Sequence, residues 1–174
     1  MSIHIIIDGY NLIRNSNSLS ALDRQDIQAG RETLVDMLAA YKRVKSHRIT
    51  VVFDGPNDPV HSQYRDRVKG IDIKYSSGGQ SADTVIKKMA SREKERALIV
   101  SSDHEVVNAA QLYKSATISS SEFEDKLMLA AYMHLKGTDE ESENSGWAAT
   151  TKKKGPRRRL SKQMRRNMTK IRKL

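Results

Sequence analysis

Residues 3–11, IHIIIDGYN, consist of a short apolar run rich in isoleucine that leads straight into Asp8. Residues 49–53 (ITVVF) and residues 97–101 (ALIVS) repeat the pattern, and each is followed by an aspartate within two positions. Apolar runs this continuous are typical of strands that are buried on both faces, as in a parallel sheet covered by helices. The three runs therefore predict the central strands of an α/β domain.

Two weaker strand signals accompany these runs. Residues 71–75 (IDIKY) alternate apolar and polar side chains, which indicates a half-exposed edge strand, and residues 116–118 (ATI) are a short candidate for the opposite edge. Helical patterns separate the strands at residues 23–45, 82–95, 104–113 and 122–135. Right-handed crossovers between parallel strands then predict a doubly wound, five-stranded parallel sheet. With strands numbered along the chain, we expect the order 3-2-1-4-5 and a crevice at the switch point between strands 1 and 4.

The composition excludes several classes of site and indicates an anionic partner. The 174 residues include no cysteine, which excludes disulfide scaffolds, thiolate nucleophiles and cysteine-bound metals. The formal net charge is +10, but residues 152–174 hold twelve Lys and Arg and no acid. This leaves 19 basic and 21 acidic residues in residues 1–151, a net charge of −2. A slightly acidic domain with a basic arm points to nucleic acid rather than to a membrane.

These shifts in composition divide the chain into three parts. We predict an α/β domain over residues 1–137, an acidic and polar linker over residues 138–151, and a basic helical tail over residues 152–174. No membrane span or secretory signal is visible, so we expect a cytoplasmic protein. The tail carries an apolar stripe at Leu160, Met164, Met168 and Ile171. The stripe predicts a helix that either docks on the domain or folds as an arm when it meets nucleic acid.

Four aspartates fall at positions that this fold brings to one rim of the sheet. Asp8 and Asp103 follow neighbouring strands, and Asp54 follows the strand on the other side. Asp83 begins the helix after a Gly-Gly turn near the same rim. Oxygen ligands of this kind suit Mg²⁺ or Mn²⁺, and such an ion can activate water against a phosphodiester. The competing interpretation is that each aspartate only caps a helix or forms a turn.

Other enzyme classes lack their defining residues here. The glycine-rich turn of a dinucleotide site is replaced after the first strand by Asp8-Gly9-Tyr10-Asn11, and no GxxxxGK[ST] or GxSxG motif occurs. A phosphatase of the haloacid dehalogenase type needs a second aspartate where Tyr10 stands.

Four short motifs follow one another along the chain: Asp8-Gly9-Tyr10-Asn11, Phe53-Asp54-Gly55, Ser81-Ala82-Asp83 and Ser101-Ser102-Asp103. Over roughly residues 1–135 their order and spacing resemble the NYN-domain family within the PIN-like nucleases, and most closely its YacP-like branch. The resemblance implies a PIN-like fold that cleaves RNA with a divalent metal. The YacP-like branch includes ribosome-associated endoribonucleases of mRNA decay.

The resemblance also assigns roles to single residues. It maps the family's acidic pocket onto Asp8, Asp83 and Asp103, with Asp54 alongside. Asn11 matches the family's asparagine, which orients the first acid or a water, and Ser102 matches the small polar residue before the third acid.

We therefore predict a metal-dependent endoribonuclease domain followed by an RNA-binding tail. Asp8, Asp83 and Asp103 are the predicted ligands of Mg²⁺ or Mn²⁺, and Asp54 and Asn11 complete the catalytic set. The predicted RNA contacts are Tyr10, Arg14, Ser102, Lys153, Arg157, Arg158, Arg159, Arg165 and Arg166. The expected partners are RNA, in particular mRNA, and the ribosome, with no membrane partner.

Alternative interpretations exist for the whole chain and for single residues. A non-catalytic RNA- or ribosome-binding module on a PIN-like scaffold is one, although a pure binder has no need of carboxylates beside phosphates. A nuclease that acts on structured DNA is another. Tyr10 and Arg14 are equally compatible with base stacking and phosphate binding or with a core tyrosine and a solvated arginine.

Overall fold

The computed structural model describes residues 3–55, 65–77, 79–136 and 161–174. The strands are β1 (His4–Asp8), β2 (Arg48–Phe53), β3 (Arg65–Val68), β4 (Ile71–Tyr75), β5 (Ala97–Val100) and β6 (Ala116–Ile118). The helices are α1 (Gly9–Asn15), α2 (Asn17–Gln25), α3 (Ile27–Val44), α4 (Ala82–Glu93), α5 (His104–Leu112), α6 (Ser120–Lys136) and α7 (Lys162–Ile171).

These strands form one mixed sheet in the order β3-β4-β2-β1-β5-β6. Five of the strands are parallel and keep the predicted order, whereas β3 pairs antiparallel with β4. The α/β class is therefore confirmed. The sheet departs from the five predicted strands in one respect, because residues 71–75 lie second from the edge and β3 takes the edge position.

Strand β3 was absent from the prediction because its own side chains carry no strand pattern. Its sequence is RDRV, in which three of four residues are charged. It is joined to β4 by Lys69 and Gly70, whose φ angles are both positive, at 51° and 82°. Two consecutive residues with positive φ form the tight hairpin turn that suits the twist of antiparallel strands. The turn, rather than the strand, is the local signal for this hairpin.

Helices cover both faces of the sheet, as the apolar runs predict. Ile5 of β1 lies in one core cluster with Leu34 of α3 and Phe123 of α6. Ile6 lies in a second cluster with Ile86 of α4. Because neighbouring residues of a strand point to opposite faces, a strand covered on both sides must be apolar throughout. Ile5 and Ile6 accordingly have no exposed surface.

The single helix predicted over residues 23–45 is two helices. Asp26 ends α2 and caps α3, where its carboxylate accepts a hydrogen bond from the first turn. Leu34 and Tyr41 of α3 are buried, whereas Ile27, its first residue, is 53% exposed. The apolar face of α3 that packs on the core therefore does not extend to the first residue of this helix.

Helix α7 docks on the domain at the edge strand β6. The side chain of Asn167 accepts a hydrogen bond from the backbone N–H of Thr117 (2.8 Å) and donates one to its carbonyl oxygen (3.2 Å). Ile171 packs against the core, Leu174 is buried, and the Tyr41 hydroxyl donates to the Leu174 carbonyl. Of the two behaviours that the sequence allows for the tail, docking is the one that residues 161–174 show.

The docked face of α7 includes Ile171 of the predicted stripe but not its two methionines. Met164 and Met168 are about half exposed, and Leu160 lies outside the described residues. Arg166 instead pairs with Glu95, which anchors the helix from its polar side. The predicted linker at 138–151 also lies outside the described residues. Within the described ranges, no helix combines the length and the apolar character that crossing a bilayer requires.

Candidate active site

Asp8 is placed at the junction of β1 and α1. Its Oδ1 accepts a hydrogen bond from the backbone N–H of Asn11 (3.2 Å), which caps α1, and its Oδ2 accepts one from the hydroxyl of Ser101 (3.3 Å). The helix can begin directly after the strand because Gly9 lies against the ring of Phe53, where a Cβ would collide. Asp8 is therefore held rigidly and is only 6% exposed.

Asp103 is tied to Asp8 through Ser101. The Ser101 hydroxyl accepts a hydrogen bond from the backbone N–H of Asp103 (3.1 Å) while it donates to Asp8. The Oδ1 of Asp103 caps α5 by accepting from the N–H groups of Glu105 (2.7 Å) and Val106 (3.1 Å). One buried serine thus connects the carboxyl ends of two neighbouring strands.

Asp54 brings the start of α4 to the same end of the sheet, where the parallel strands have their carboxyl ends. Its Oδ1 accepts hydrogen bonds from the backbone N–H of Ala82 (2.7 Å) and from the hydroxyl of Ser76 (3.4 Å). Gly55 passes so close to the Ser76 carbonyl that a Cβ would collide with it. Because Ala82 precedes Asp83, this contact also places Asp83 near the other aspartates.

Asp83 differs from the other three aspartates in that its carboxylate supports no part of the fold. The cap of α4 is Ser81, whose hydroxyl accepts from the N–H of Thr84. Among the described residues, none donates a hydrogen bond to the Asp83 carboxylate. A half-buried carboxylate without such a bond is a strong candidate for contact with a ligand.

The four aspartates, which we call the carboxylate cluster, interact electrostatically. Burial raises the pKa of Asp8 to about 6, and the negative charges of Asp83 and Asp54 raise it too. Burial also raises the pKa of Asp83, and Asp103 and Asp54 add to the rise. Carboxylates that disfavour each other's charge in this way attract a cation.

The predicted metal site is formed only in part. The oxygen-only donor set suits a hard divalent cation such as Mg²⁺ or Mn²⁺. In the part of the chain that the structure describes, however, no three His, Asp or Glu side chains come close enough together to hold a metal ion. The four aspartates share one end of the sheet and influence one another's charge, but the side chains of Asp8, Asp54 and Asp103 are turned to hydrogen bonds within the protein. The carboxylate oxygens therefore suit the ion, but binding it would require the aspartate side chains to turn towards it.

Asn11 and Ser102 join the elements behind the carboxylate cluster. The Oδ1 of Asn11 accepts from the backbone N–H of Ser102 (2.8 Å) and from the hydroxyl of Ser120 (2.7 Å). The Ser102 hydroxyl accepts in turn from the N–H of Ser120 (3.1 Å). These bonds link α1, the loop after β5 and the start of α6. They fix the positions of the segments that carry Asp8 and Asp103 relative to each other, which agrees with the positioning role expected for Asn11.

Tyr10 lies beside the cluster in a packed environment, whereas Arg14 is exposed. The Tyr10 ring is half buried and lies edge-on to Phe53, with 5.3 Å between centroids. The guanidinium carbon of Arg14 is 5.6 Å from the Tyr10 centroid. The packing interpretation of Tyr10 is thus realised in the structure, and the RNA contacts of both residues stay predictions.

The other predicted RNA contacts fall on or beyond α7. Arg165 is exposed, and Arg166 pairs with Glu95. The remaining four, Lys153, Arg157, Arg158 and Arg159, lie outside the described residues.

Arg31 is a residue of this edge that the sequence interpretation missed. Its guanidinium lies over the Tyr10 and Phe53 rings. A signal for it exists in the sequence, because Arg31 falls three and seven residues before Leu34 and Leu38, on the stripe of α3 that faces the core. A lone arginine on a buried stripe is the pattern that marks it.

Comparisons with known proteins agree with the fold. The family model described as the YacP-like NYN domain matches residues 5–173. Among solved structures, the chain is similar to the crystal structure of Rae1 (YacP) from Bacillus subtilis, with 21% identity, a TM-score of 0.65, and coverage of 79% of this chain and 80% of that chain. A mutant of the same protein gives 19% identity, a TM-score of 0.60 and 78% coverage of each chain. A search of curated proteins found no match.

Proposed function

Because the chain belongs to the YacP-like NYN domain family, we propose that it is a metal-dependent endoribonuclease that hydrolyses phosphodiester bonds of RNA. The observation that carries the proposal is the carboxylate cluster. Four segments of the chain each place an aspartate at the carboxyl end of the sheet. Ser101 connects Asp8 with Asp103, and the N–H of Ala82 connects Asp54 with the segment that carries Asp83. A binding protein for a polyanion gains nothing from such a concentration of negative charge.

In this proposal, Asp8, Asp83 and Asp103 hold Mg²⁺ or Mn²⁺, and Asp54 contributes from beside them. The ion supplies activation of a water molecule and stabilisation of the negative charge that develops on the phosphate. Asn11 keeps the segments around Asp8 and Asp103 aligned through Ser102. A hydrolysis of this type leaves a 5′-phosphate and a 3′-hydroxyl end and does not use the 2′-hydroxyl as nucleophile. Selection of RNA over DNA then depends on recognition.

The substrate that we propose is mRNA, reached on the ribosome in the cytoplasm. Support comes from the resemblance to the YacP-like branch and from the twelve positive charges of residues 152–174. Such a basic segment lends affinity for the RNA backbone without specifying its sequence.

One observation favours a second candidate, a non-catalytic RNA- or ribosome-binding module. Asp8, Asp54 and Asp103 each commit an oxygen to a backbone N–H within the fold, and no three-residue metal group exists among the described residues. Aspartates that served only as helix caps would give this arrangement. Cleavage of RNA by the purified protein separates the two candidates.

The test is incubation of the purified protein with total RNA and Mn²⁺, followed by mapping of new 5′ ends. We expect cleavage by the wild type and a loss of at least about 100-fold in Asp83→Asn, because the substitution removes one charge that would hold the ion. The fold should survive, since Asp83 accepts no hydrogen bond from the described residues.

The matched control is Asp125→Asn, which neutralises an exposed carboxylate on α6. This variant should cleave like the wild type. Matched RNA and DNA single strands tested in parallel distinguish a ribonuclease from a nuclease for DNA. Wild-type cleavage by Asp83→Asn would place the chemistry elsewhere in the chain.

A further inference from the structure

Arg31 holds its guanidinium group over three aromatic rings, Tyr10, Phe53 and Tyr75, which we call the aromatic triad. The guanidinium carbon lies 5.3, 5.6 and 5.7 Å from the three ring centroids in that order. The rings also contact one another, since Phe53 meets Tyr10 edge-on and stacks with Tyr75. Contacts of this kind fix the orientation of a guanidinium group and so reduce the entropy that it loses on binding a ligand.

The aromatic triad lies at the edge of the sheet that carries the carboxylate cluster. Phe53 directly precedes Asp54 in the chain, and Tyr10 follows Asp8 by two residues. Tyr75 ends β4 and pairs in register with Phe53. The guanidinium group that rests on these rings is therefore a cation at the same carboxyl end of the sheet as the aspartates.

The guanidinium group has more donors than the protein uses. One terminal nitrogen of Arg31 donates to the Tyr10 hydroxyl, and the buried Nε has no acceptor among the described residues. No carboxylate within the described ranges forms an ion pair with Arg31. Aromatic faces attract the face of a guanidinium group, but the N–H bonds lie in its plane and require oxygen acceptors. The other terminal nitrogen, Nη1, donates no hydrogen bond to a described residue and is not buried, so a ligand oxygen can reach it.

We propose that Arg31, oriented by the aromatic triad, binds a phosphate group of the RNA strand next to the carboxylate cluster. The inference rests on the proposed function, because it requires an RNA strand at this edge. A guanidinium group presents two parallel N–H donors to two phosphate oxygens, which suits a backbone phosphate. Arg14, on the Tyr10 ring as well, is placed to contact the strand beside it.

The test is equilibrium binding of a single-stranded RNA oligonucleotide in EDTA, where no cleavage occurs, over a range of salt concentrations. We expect Arg31→Gln to bind about tenfold more weakly, as for the loss of a charge-assisted hydrogen bond. The slope of log affinity against log salt should fall by about 0.7, which is one phosphate contact on a single strand. Arg31→Lys should keep the wild-type slope but bind more weakly, since an ammonium group lacks the planar pair of donors.

The matched control is Arg92→Gln, which removes one exposed positive charge. Arg92 lies in the last turn of α4, next to Glu93. Glu93 contacts His4 at the start of β1, so Arg92 is at the opposite end of the strands from the aspartates. This variant should bind RNA like the wild type. A role of Arg31 in packing alone would lower the melting temperature without changing the salt slope.

The outcomes separate this inference from the proposed function. If Arg31→Gln folds and binds RNA with wild-type affinity and slope, the inference is overturned while cleavage by the wild type still supports the nuclease. If the wild type neither binds nor cleaves RNA, both are overturned. If Arg31→Gln fails to fold, Arg31→Lys decides, because weaker binding at an unchanged slope supports the phosphate contact and unchanged affinity overturns it.

Discussion

At the scale of single residues, the aspartates of the carboxylate cluster combine structural and chemical roles. Asp8 and Asp103 each cap a helix, and Asp54 holds the start of a third. The first turn of a helix presents free N–H groups and the positive end of its dipole, so a carboxylate is stable there. Three helices that begin at one sheet edge therefore gather carboxylates that would otherwise repel. Asp83 is the member of the cluster whose carboxylate accepts no helix N–H among the described residues.

The raised pKa of Asp8 makes the stability of the metal-free protein depend on pH. The pKa of Asp8 rises from 3.8 in the unfolded chain to about 6 in the folded protein. Its contribution to the free energy of unfolding is therefore fully present below pH 3.8 and is lost as the pH rises through 6. The free energy of unfolding falls by about 3 kcal/mol over this range. Asp8→Asn cannot ionise, so it should gain that amount relative to the wild type between pH 4 and pH 8, measured by urea unfolding in EDTA.

Asp125→Asn is the matched control for this measurement, because it removes an exposed carboxylate of α6. Its stability should follow the wild-type dependence on pH. A constant difference between Asp8→Asn and the wild type from pH 4 to pH 8 would show that Asp8 is an ordinary, solvated carboxylate.

At the scale of elements, α7 protects the edge of the sheet. An edge strand presents unpaired backbone groups on which another chain can pair. Asn167 satisfies both backbone groups of Thr117 on β6, and the hairpin strand β3 occupies the opposite edge. Part of the basic tail is therefore a structural element of the domain. Asn167, Ile171 and Leu174, rather than the two methionines, form the face of this C-terminal segment that docks.

Asn167→Ala should lower the free energy of unfolding by about 1–2 kcal/mol, since it removes two hydrogen bonds to β6 and leaves the Thr117 groups without them. Urea denaturation measures the change. Arg165→Ala is the control on the same helix, because Arg165 is exposed and should have little effect. Equal stability of Asn167→Ala and Arg165→Ala would mean that α7 contributes nothing through this contact.

At the scale of the whole molecule, charge is divided between the domain and the tail. Residues 1–151 carry a net charge of −2, and residues 152–174 carry twelve positive charges. Long-range attraction of RNA therefore depends on the tail, while contacts at the carboxylate cluster act only at short range. Some positive charge of α7 is already used within the domain, as in the pair of Arg166 with Glu95.

Simultaneous replacement of Arg157, Arg158 and Arg159 by glutamine tests this division. RNA affinity should fall, and the slope of log affinity against log salt should decrease by about 2, because three phosphate contacts on a single strand are removed. Fluorescence anisotropy with a labelled oligonucleotide measures both. The melting temperature is the internal control and should not change. An unchanged slope would mean that these arginines do not meet RNA.

The central features of the domain could be predicted from local sequence. Strands β1, β2 and β5 are buried on both faces, so their apolar runs are visible without knowledge of any partner. The aspartates after them could be placed on one edge because the carboxyl ends of parallel strands meet there. The YacP-like family was recognisable for the same reason, since three of its four motifs lie at these strand ends and the fourth begins α4.

The features that were missed or left open depend on contacts between residues far apart in the chain. Strand β3 is the exception, because its partner β4 is close in the chain and it was missed only because RDRV carries no apolar pattern. Helix α7 docks because Asn167 meets Thr117 fifty residues away. Arg31 becomes a candidate ligand only when three aromatic side chains from different segments gather around it. Burial on both faces leaves a continuous apolar run in the sequence, so sequence alone determined the central strands and the end of the sheet that carries the aspartates. A hydrogen bond or a cation over a ring leaves no such run, so only the tertiary structure decided how the tail docks and which arginine rests on the aromatic triad.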